Sequence, residues 1–360
     1  MKQNKLSIAA LAVSAMVANV AHAQSSVTLY GILDAGFLYT SKTINSTGGN
    51  AGHQVAFLDG GWAPSLFGLK GTEDLGGGLK ANFLLESGIN TSNGALGNSN
   101  GGIFGRQAWV GLGNKYGDLK MGLQFSPFFL SVFDLDPRGF SQLGSSLPIY
   151  FANAWGTGVF NPNAISFSSA SFGGFSGRAM YALGGVAGNF QSGREYSLSG
   201  KYENGSLVVE TAFYSGKAGG NANTAIPTTT DFEGRLLGAS YKVDSLKVAA
   251  IWSSFKTRGA ILSGSNDTSM YNVGADYMVK PYLDVNAGVW FLDDRQNSKS
   301  HAVMGALGAQ YLLSKRTAVY GQVAVVNNKG DFHQGVSLNL ATTAPTGTTT
   351  GVNVGIRHLF

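Results

Sequence analysis

Few residues in this chain are equipped for covalent or metal chemistry. Cysteine is absent, which removes thiolate nucleophiles, thiolate metal sites and disulfides together. Gly97-Asn98-Ser99-Asn100-Gly101 fits the G-x-S-x-G spacing of a nucleophile elbow. That chemistry needs a strand turning sharply into a helix, and here the serine sits in a Gly/Asn-rich loop. His53, His301, His333 and His358 lack the H-x-x-x-H spacing that grips zinc. Asp134-Leu135-Asp136 lacks the later Gly and Glu of a calcium loop. These residues point to no enzyme, no cofactor and no metal. What remains is charge in unusual company: Asp134, Asp136 and Arg138 lie among Phe128, Phe129, Phe133, Phe140, Phe151 and Trp155. Carboxylates facing cations across a narrow passage set up a transverse field that sorts ions. A salt bridge internal to the segment is the other reading of the same residues.

The elements that must position such a segment follow from composition and pattern. Charged residues make up only 12% of the 360, about half the usual ~25%. No dense basic surface exists for nucleic acid, although the isoelectric point is about 9.2. Lys2 and Lys5 precede the uncharged run Leu6–Val20, and Ala21-His22-Ala23 supplies a small-x-small site. This is the order of a cleaved secretory signal peptide over 1–23, leaving 24–360 as one domain. Cleavage removes two lysines and no acid, so the net charge falls from +5 to +3. The setting is a bacterial envelope. No later stretch approaches 18 apolar residues, so no transmembrane helix is expected.

The recurring period is two. Val352, Val354, Ile356, His358 and Phe360 share one face against Asn353, Gly355 and Arg357; Leu283, Val285, Ala287, Val289 and Phe291 oppose Asp284, Asn286 and Gly288. Such runs read as strands with one apolar and one polar face. Sixteen are expected, near 26–40, 64–73, 78–88, 102–114, 117–126, 162–170, 174–184, 195–203, 206–215, 232–243, 245–257, 270–279, 282–292, 301–313, 316–327 and 351–360. Short turns such as Asn204-Gly205-Ser206 alternate with long Gly/Asn/Ser/Thr-rich loops at 89–101, 216–230 and 341–350. The pattern predicts an all-β fold, a 16-stranded antiparallel transmembrane β-barrel. Tyr30, Tyr39, Tyr202, Tyr214, Trp252, Tyr277 and Trp290 are expected in aromatic girdles. An outer-membrane barrel enzyme and an exported soluble β-sandwich stay open as alternatives. Between the strands ending near Ser126 and starting near Pro162, about 35 residues show no alternation, a length that is usually functional. Their aromatic content argues for packing inside something.

The blocks QSSVTLYGILDAGFLY, FGLKGTEDLGGGLKANFLLESG, FGRQAWVGLG, SASFGGFSG and the ending GIRHLF resemble, in order, the Gram-negative general porins of the β-proteobacterial type. The resemblance implies an outer-membrane channel for passive diffusion of small hydrophilic solutes and ions, with the third loop folded into the lumen. It also implies a homotrimer, lipid and lipopolysaccharide around it, and barrel-assembly machinery that uses the terminal Phe360. Arg106 keeps the arginine of the GRQAWVGL block. Leu66, Leu123 and Ser166 stand where the family commonly places basic residues. Lys70, Lys80 and Arg178 are further wall candidates, since a charge on the lipid face would cost ~2–4 kcal/mol near the midplane. These departures predict weaker anion preference than is usual for the branch, and easier passage of moderately apolar solutes such as small aromatic acids.

Overall fold

Successive side chains of a strand stand on opposite faces, and in this protein the two faces carry opposite chemistry. The computed structural model describes residues 26–154, 156–219, 231–258 and 262–360. The expected leader over 1–23, Trp155 and most of the 216–230 loop lie outside them. The strands are β1 (Ser26–Ile44), β2 (Asn50–Asp59), β3 (Leu66–Gly76), β4 (Leu79–Gly88), β5 (Gln107–Asn114), β6 (Gly117–Gln124), β7 (Asn161–Ser169), β8 (Phe175–Ala182) and β9 (Glu195–Asn204). They continue as β10 (Leu207–Gly216), β11 (Asp231–Val243), β12 (Leu246–Arg258), β13 (Asp267–Lys280), β14 (Leu283–Asp294), β15 (His301–Leu312), β16 (Thr317–Lys329) and β17 (Gly347–Leu359). Between β6 and β7 lie two helices, α1 (Pro127–Leu135) and α2 (Ser146–Ala154).

From β3 onward each strand pairs antiparallel with the next, and β17 returns to β1 from Ile32↔Leu359 to Thr40↔Gly351. On its other side β1 meets two partners: Ala35–Ile44 runs along β2 and Ser26–Ile32 along β3. β2 and β3 are therefore two halves of one wall strand broken at 60–65, and the seventeen elements close as a sixteen-stranded barrel. The expectation placed this strand at 64–73 and missed 50–59. Pro64 has no N–H for a ladder, and the break turns onto Asp34 instead. That carboxylate accepts N–H groups from Gly61 (3.1 Å), Trp62 (3.1 Å) and Ala63 (2.8 Å), and the Tyr320 hydroxyl. The seam is completed by the last residue. The Gly31 N–H donates to the Phe360 carbonyl (3.0 Å), Phe360 N–H to the Gly31 carbonyl (3.1 Å), and the Phe360 ring lies where a Gly31 side chain would be.

Val27, Phe37, Val55, Val110, Val273 and Val354, all on one parity of their strands, are more than half exposed. The opposite parity buries Asp34, Asn272, Asn286, Gln322 and Asn353. A soluble sandwich would bury the first set and expose the second. An apolar outside and a polar inside suit a barrel in hydrocarbon, where closure satisfies every backbone group. Of the expected girdle aromatics, Tyr39 and Tyr277 are exposed on the outer face, whereas Tyr214 and Trp290 are fully buried. Tyr30 also points inward, sharing parity with Ile32 and donating to Glu86 at 2.8 Å. Strand-end position was legible for these three, but parity sends them to the lumen.

Glycine has a specific use on the inner face. A Cβ at Gly234 would stand 2.6 Å from the Phe128 ring, at Gly238 2.7 Å from Leu135, and at Gly274 2.5 Å from Pro137. The missing side chains leave room for the segment between β6 and β7. Deleting Phe360 should lower the yield of folded, membrane-inserted protein, because two backbone bonds and the ring over Gly31 are lost together. Heat-modifiable mobility on gels checks this, with the conductance of assembled molecules unchanged.

Candidate functional site

The segment from Phe125 to Phe160 crosses the inside of the barrel because its side chains bond to inward positions around the wall. Ser126 caps α1, its hydroxyl accepting the Phe129 N–H at 3.1 Å, and Pro127 opens the helix. Both are favoured there, since Pro has no N–H to waste and its fixed φ suits the first turn. The helix buries Phe128, Phe129, Val132 and Leu135 and packs toward β8–β12. Phe128 meets Phe232 and Tyr150 at ring separations of 6.0 and 5.9 Å, an aromatic mass filling that side of the lumen.

Asp136 and Arg138, expected with Asp134 in a constriction facing basic wall residues, are instead buried and hold the loop. Asp136 accepts the N–H groups of Arg138 (2.8 Å), Phe140 (3.0 Å) and Ser146 (2.8 Å), which folds the chain between the helices. The guanidinium of Arg138 is 0% exposed. It donates to Asn286 on β14 (3.0 Å), to Gln322 on β16 (2.8 Å), and to the carbonyls of Leu143 (2.6 Å) and Gly144 (2.7 Å). Burial pulls its pKa down to about 10, Asp136 and Asp284 opposing the shift, so the charge persists at neutral pH. Trp290 donates to Ser146 (3.0 Å) and Thr268 to Asn153 (2.9 Å), fixing α2. The connection from β16 to β17 lies against it, with Gly144 N–H on the Val336 carbonyl at 2.8 Å.

Asp134 behaves differently. Its carboxylate meets Arg178 at 2.9 Å, and the two side chains remain 27% and 28% exposed. Arg178 also lies 3.7 Å from Glu210, which accepts the Ser131 hydroxyl at 2.6 Å. This is a carboxylate of the loop facing a cation of the wall.

What α1 leaves open lies toward β1 and β3–β8, as two chambers. One, of about 330 Å³, is bordered by Leu66, Arg106, Arg357, Trp62 and Phe160. The other, of about 340 Å³, is bordered by Lys120, Arg178, Gln124, Ser166 and Trp109. Phe125, Phe129 and Phe133 border both. A larger hollow of about 680 Å³, among Val248, Val273, Val289 and Leu307, belongs to the outer apolar face.

Arg106 donates Nε to Glu86 at 2.9 Å and lies over the rings of Phe125 and Phe160. Lys70 shares its face with Ile32 and Leu66 and sits 5.2 Å over Tyr30. Lys80 is on the same face, paired with Gly113 at the short-turn rim. Leu66 and Ser166 point inward, Ser166 donating to Gln124. Leu123 does not. It pairs with Ala108, in step with the pair Val110↔Met121 on the outer face; Gln124, on the parity of Lys120, is the inward neighbour. The sequence reading put Arg357 on the polar face of its strand without singling it out as a wall charge, and missed Lys120 and Asp34, though each stands one position from an outward apolar residue. Ser99 of the G-x-S-x-G match closes a turn, donating to the Gly102 carbonyl at 2.7 Å.

The comparisons with known proteins agree in direction. A sequence profile described as Gram-negative porin matches residues 9–331. Outer membrane porin protein 32 of Delftia acidovorans is 34% identical, with 100% of each chain aligned. An outer membrane porin of Bordetella pertussis is 29% identical, over 99% of this chain and 100% of its own. Among solved structures, an anion-selective porin from Comamonas acidovorans superposes with a TM-score of 0.79 at 30% identity, over 94% of this chain and 100% of that one.

Replacing Arg138 with Met should leave the outer barrel folded but loosen the loop, since four buried acceptors lose their donor at a cost on the order of 3 kcal/mol. Protease cleavage within 136–146 of the folded protein, with larger and noisier conductance steps, is the expected result. An uncut loop with wild-type conductance would place the latch elsewhere.

Proposed function

This chain belongs to the Gram-negative porin family, and from that premise we propose that its two chambers are consecutive parts of one water-filled passage that favours anions. The protein is an outer-membrane channel for small solutes. The observation that carries the preference is the chamber walls. Arg106, Arg357, Lys120 and Arg178 border them, and no carboxylate does among the described residues. Glu86 is held by Arg106 and Tyr30, and Asp34 by three backbone N–H groups. Asp134 is the loop carboxylate that meets a wall cation beside this path. Leu66 presents a hydrocarbon side chain where a family member commonly has a cation, which moderates the preference. The anion selectivity named for the Comamonas acidovorans relative supports the same sign.

In this reading residues 1–23 are a leader for export, Phe360 serves the barrel-assembly machinery, and three copies associate through part of the outer apolar face. Lipid and lipopolysaccharide cover the remainder. The solutes are small ions and hydrophilic molecules, moving down their gradients.

Planar bilayers holding the purified protein should show stepwise conductance and a reversal potential of anion-preferring sign in a salt gradient. The preference should shrink as salt rises, because the Debye length falls from about 30 Å at 0.01 M to about 10 Å at 0.1 M. Asp134→Asn should move the permeability ratio further toward anions by about twofold, since one charge about 10 Å from an ion in water is worth about 0.4 kcal/mol. Asp136→Asn should act on loop stability and leave the ratio near wild type. Equal shifts from both variants would contradict the placement of the two carboxylates.

A further inference from the structure

We propose that the junction of the two chambers is a binding site for small planar aromatic carboxylates, of which benzoate is the simplest; the site rests on the passage described above. A solute moving between the chambers crosses Phe125, Phe129 and Phe133, the side chains common to both. These rings belong to one packed set, with Phe125 at 5.3 Å from Phe129 and 5.7 Å from Phe160, centroid to centroid. Phe133 is 50% exposed although it sits inside the barrel, so its face is open to the passage. A flat ring gains offset or edge contacts here that a saturated chain cannot make.

The charged end of the solute has its own partners. Arg106 lies 5.9 Å and 5.8 Å over Phe125 and Phe160, fixed from behind by Glu86 on its Nε. Its two terminal nitrogens make no hydrogen bond among the described residues. Arg357 borders the same chamber, and its Nε is buried without a hydrogen-bond partner. A guanidinium offers a planar fork that matches a carboxylate. Ring and fork are thus adjacent, which selects molecules carrying an aromatic plane and a carboxylate at once. The chamber volume of about 330 Å³ is at the small end of ligand pockets, which span about 300–1,000 Å³, so single-ring acids fit the site best.

The second chamber repeats the chemistry. Lys120 sits 4.4 Å over the Trp109 ring, and Arg178 faces the same space. Two similar sites in series let a solute be held and still leave, the condition for conduction through a selective pore.

The test uses the full protein in planar bilayers with potassium chloride, adding benzoate, cyclohexanecarboxylate or acetate at equal concentration. Benzoate should block chloride current in a saturable way, cyclohexanecarboxylate less, and acetate least. Phe133→Ala should weaken the benzoate block by about threefold, the worth of one ring contact. Arg357→Gln should weaken the benzoate block as well. Equal effects of benzoate and acetate overturn the site while leaving the channel standing, and equal effects of benzoate and cyclohexanecarboxylate overturn its aromatic character. No conductance in potassium chloride alone overturns the channel reading itself.

Discussion

A peptide group left unpaired in hydrocarbon costs several kcal/mol, so a sheet in a membrane has to close on itself. In this chain closure is made by β17 against β1, and its last link is the reciprocal pair of backbone bonds between Gly31 and Phe360. Everything else follows from that ring. Once the wall is closed, alternate residues are committed to lipid or lumen by parity alone, and the interior has to be wet, filled or divided. The protein divides it, filling the side under β8–β12 with α1 and its aromatic cluster and leaving the other side open.

The filling is attached by polar bonds as well as by apolar packing. Arg138 spends its hydrogen-bond capacity on two wall strands and two carbonyls of its own loop, and Asp136 shapes the turn that delivers it. Buried charge fully satisfied in this way gives rigidity and a unique placement at the expense of desolvation. Next to this network, joined through Gln322, which accepts from Arg138 and donates to the Gly61 carbonyl, Asp34 does comparable work on the wall, turning 60–65 inward from the broken strand. The charges bordering the two chambers lie outside these two networks, and they are the cations Arg106, Arg357, Lys120 and Arg178.

Much of the architecture was legible in the alternation itself. Strands such as 283–294 and 301–312 came out within two residues because turns and faces agree there. The strand at 50–59 was not, since Asn50-Ala51-Gly52-His53 lacks a clear apolar face and the break at Gly60–Ser65 hides its continuation. Leu123 entered as a wall position through the family resemblance alone, whereas a count by twos from the outward Met121 already gives it the outer face. For the site, the segment 125–160 and its charged residues were visible, but their division of labour was not. Asp134, Asp136 and Arg138 look equivalent at spacing two, and only the fold separates the residue beside water from the two beneath the loop.

The inner-face glycines at 234, 238 and 274 bear on how such a protein can change over time. Each is shaped to one feature of the loop: the ring of Phe128, the tip of Leu135, the edge of Pro137. The wall therefore holds a mould of its own insert, written as absent side chains on strands more than a hundred residues away in places. A loop borrowed from a relative whose wall carries side chains at other points would meet hollows and obstructions in the wrong places. Insert and mould have to be inherited together, so permeability in this lineage changes most freely at residues such as Leu66 and Phe133, which touch the passage but are not part of that fit.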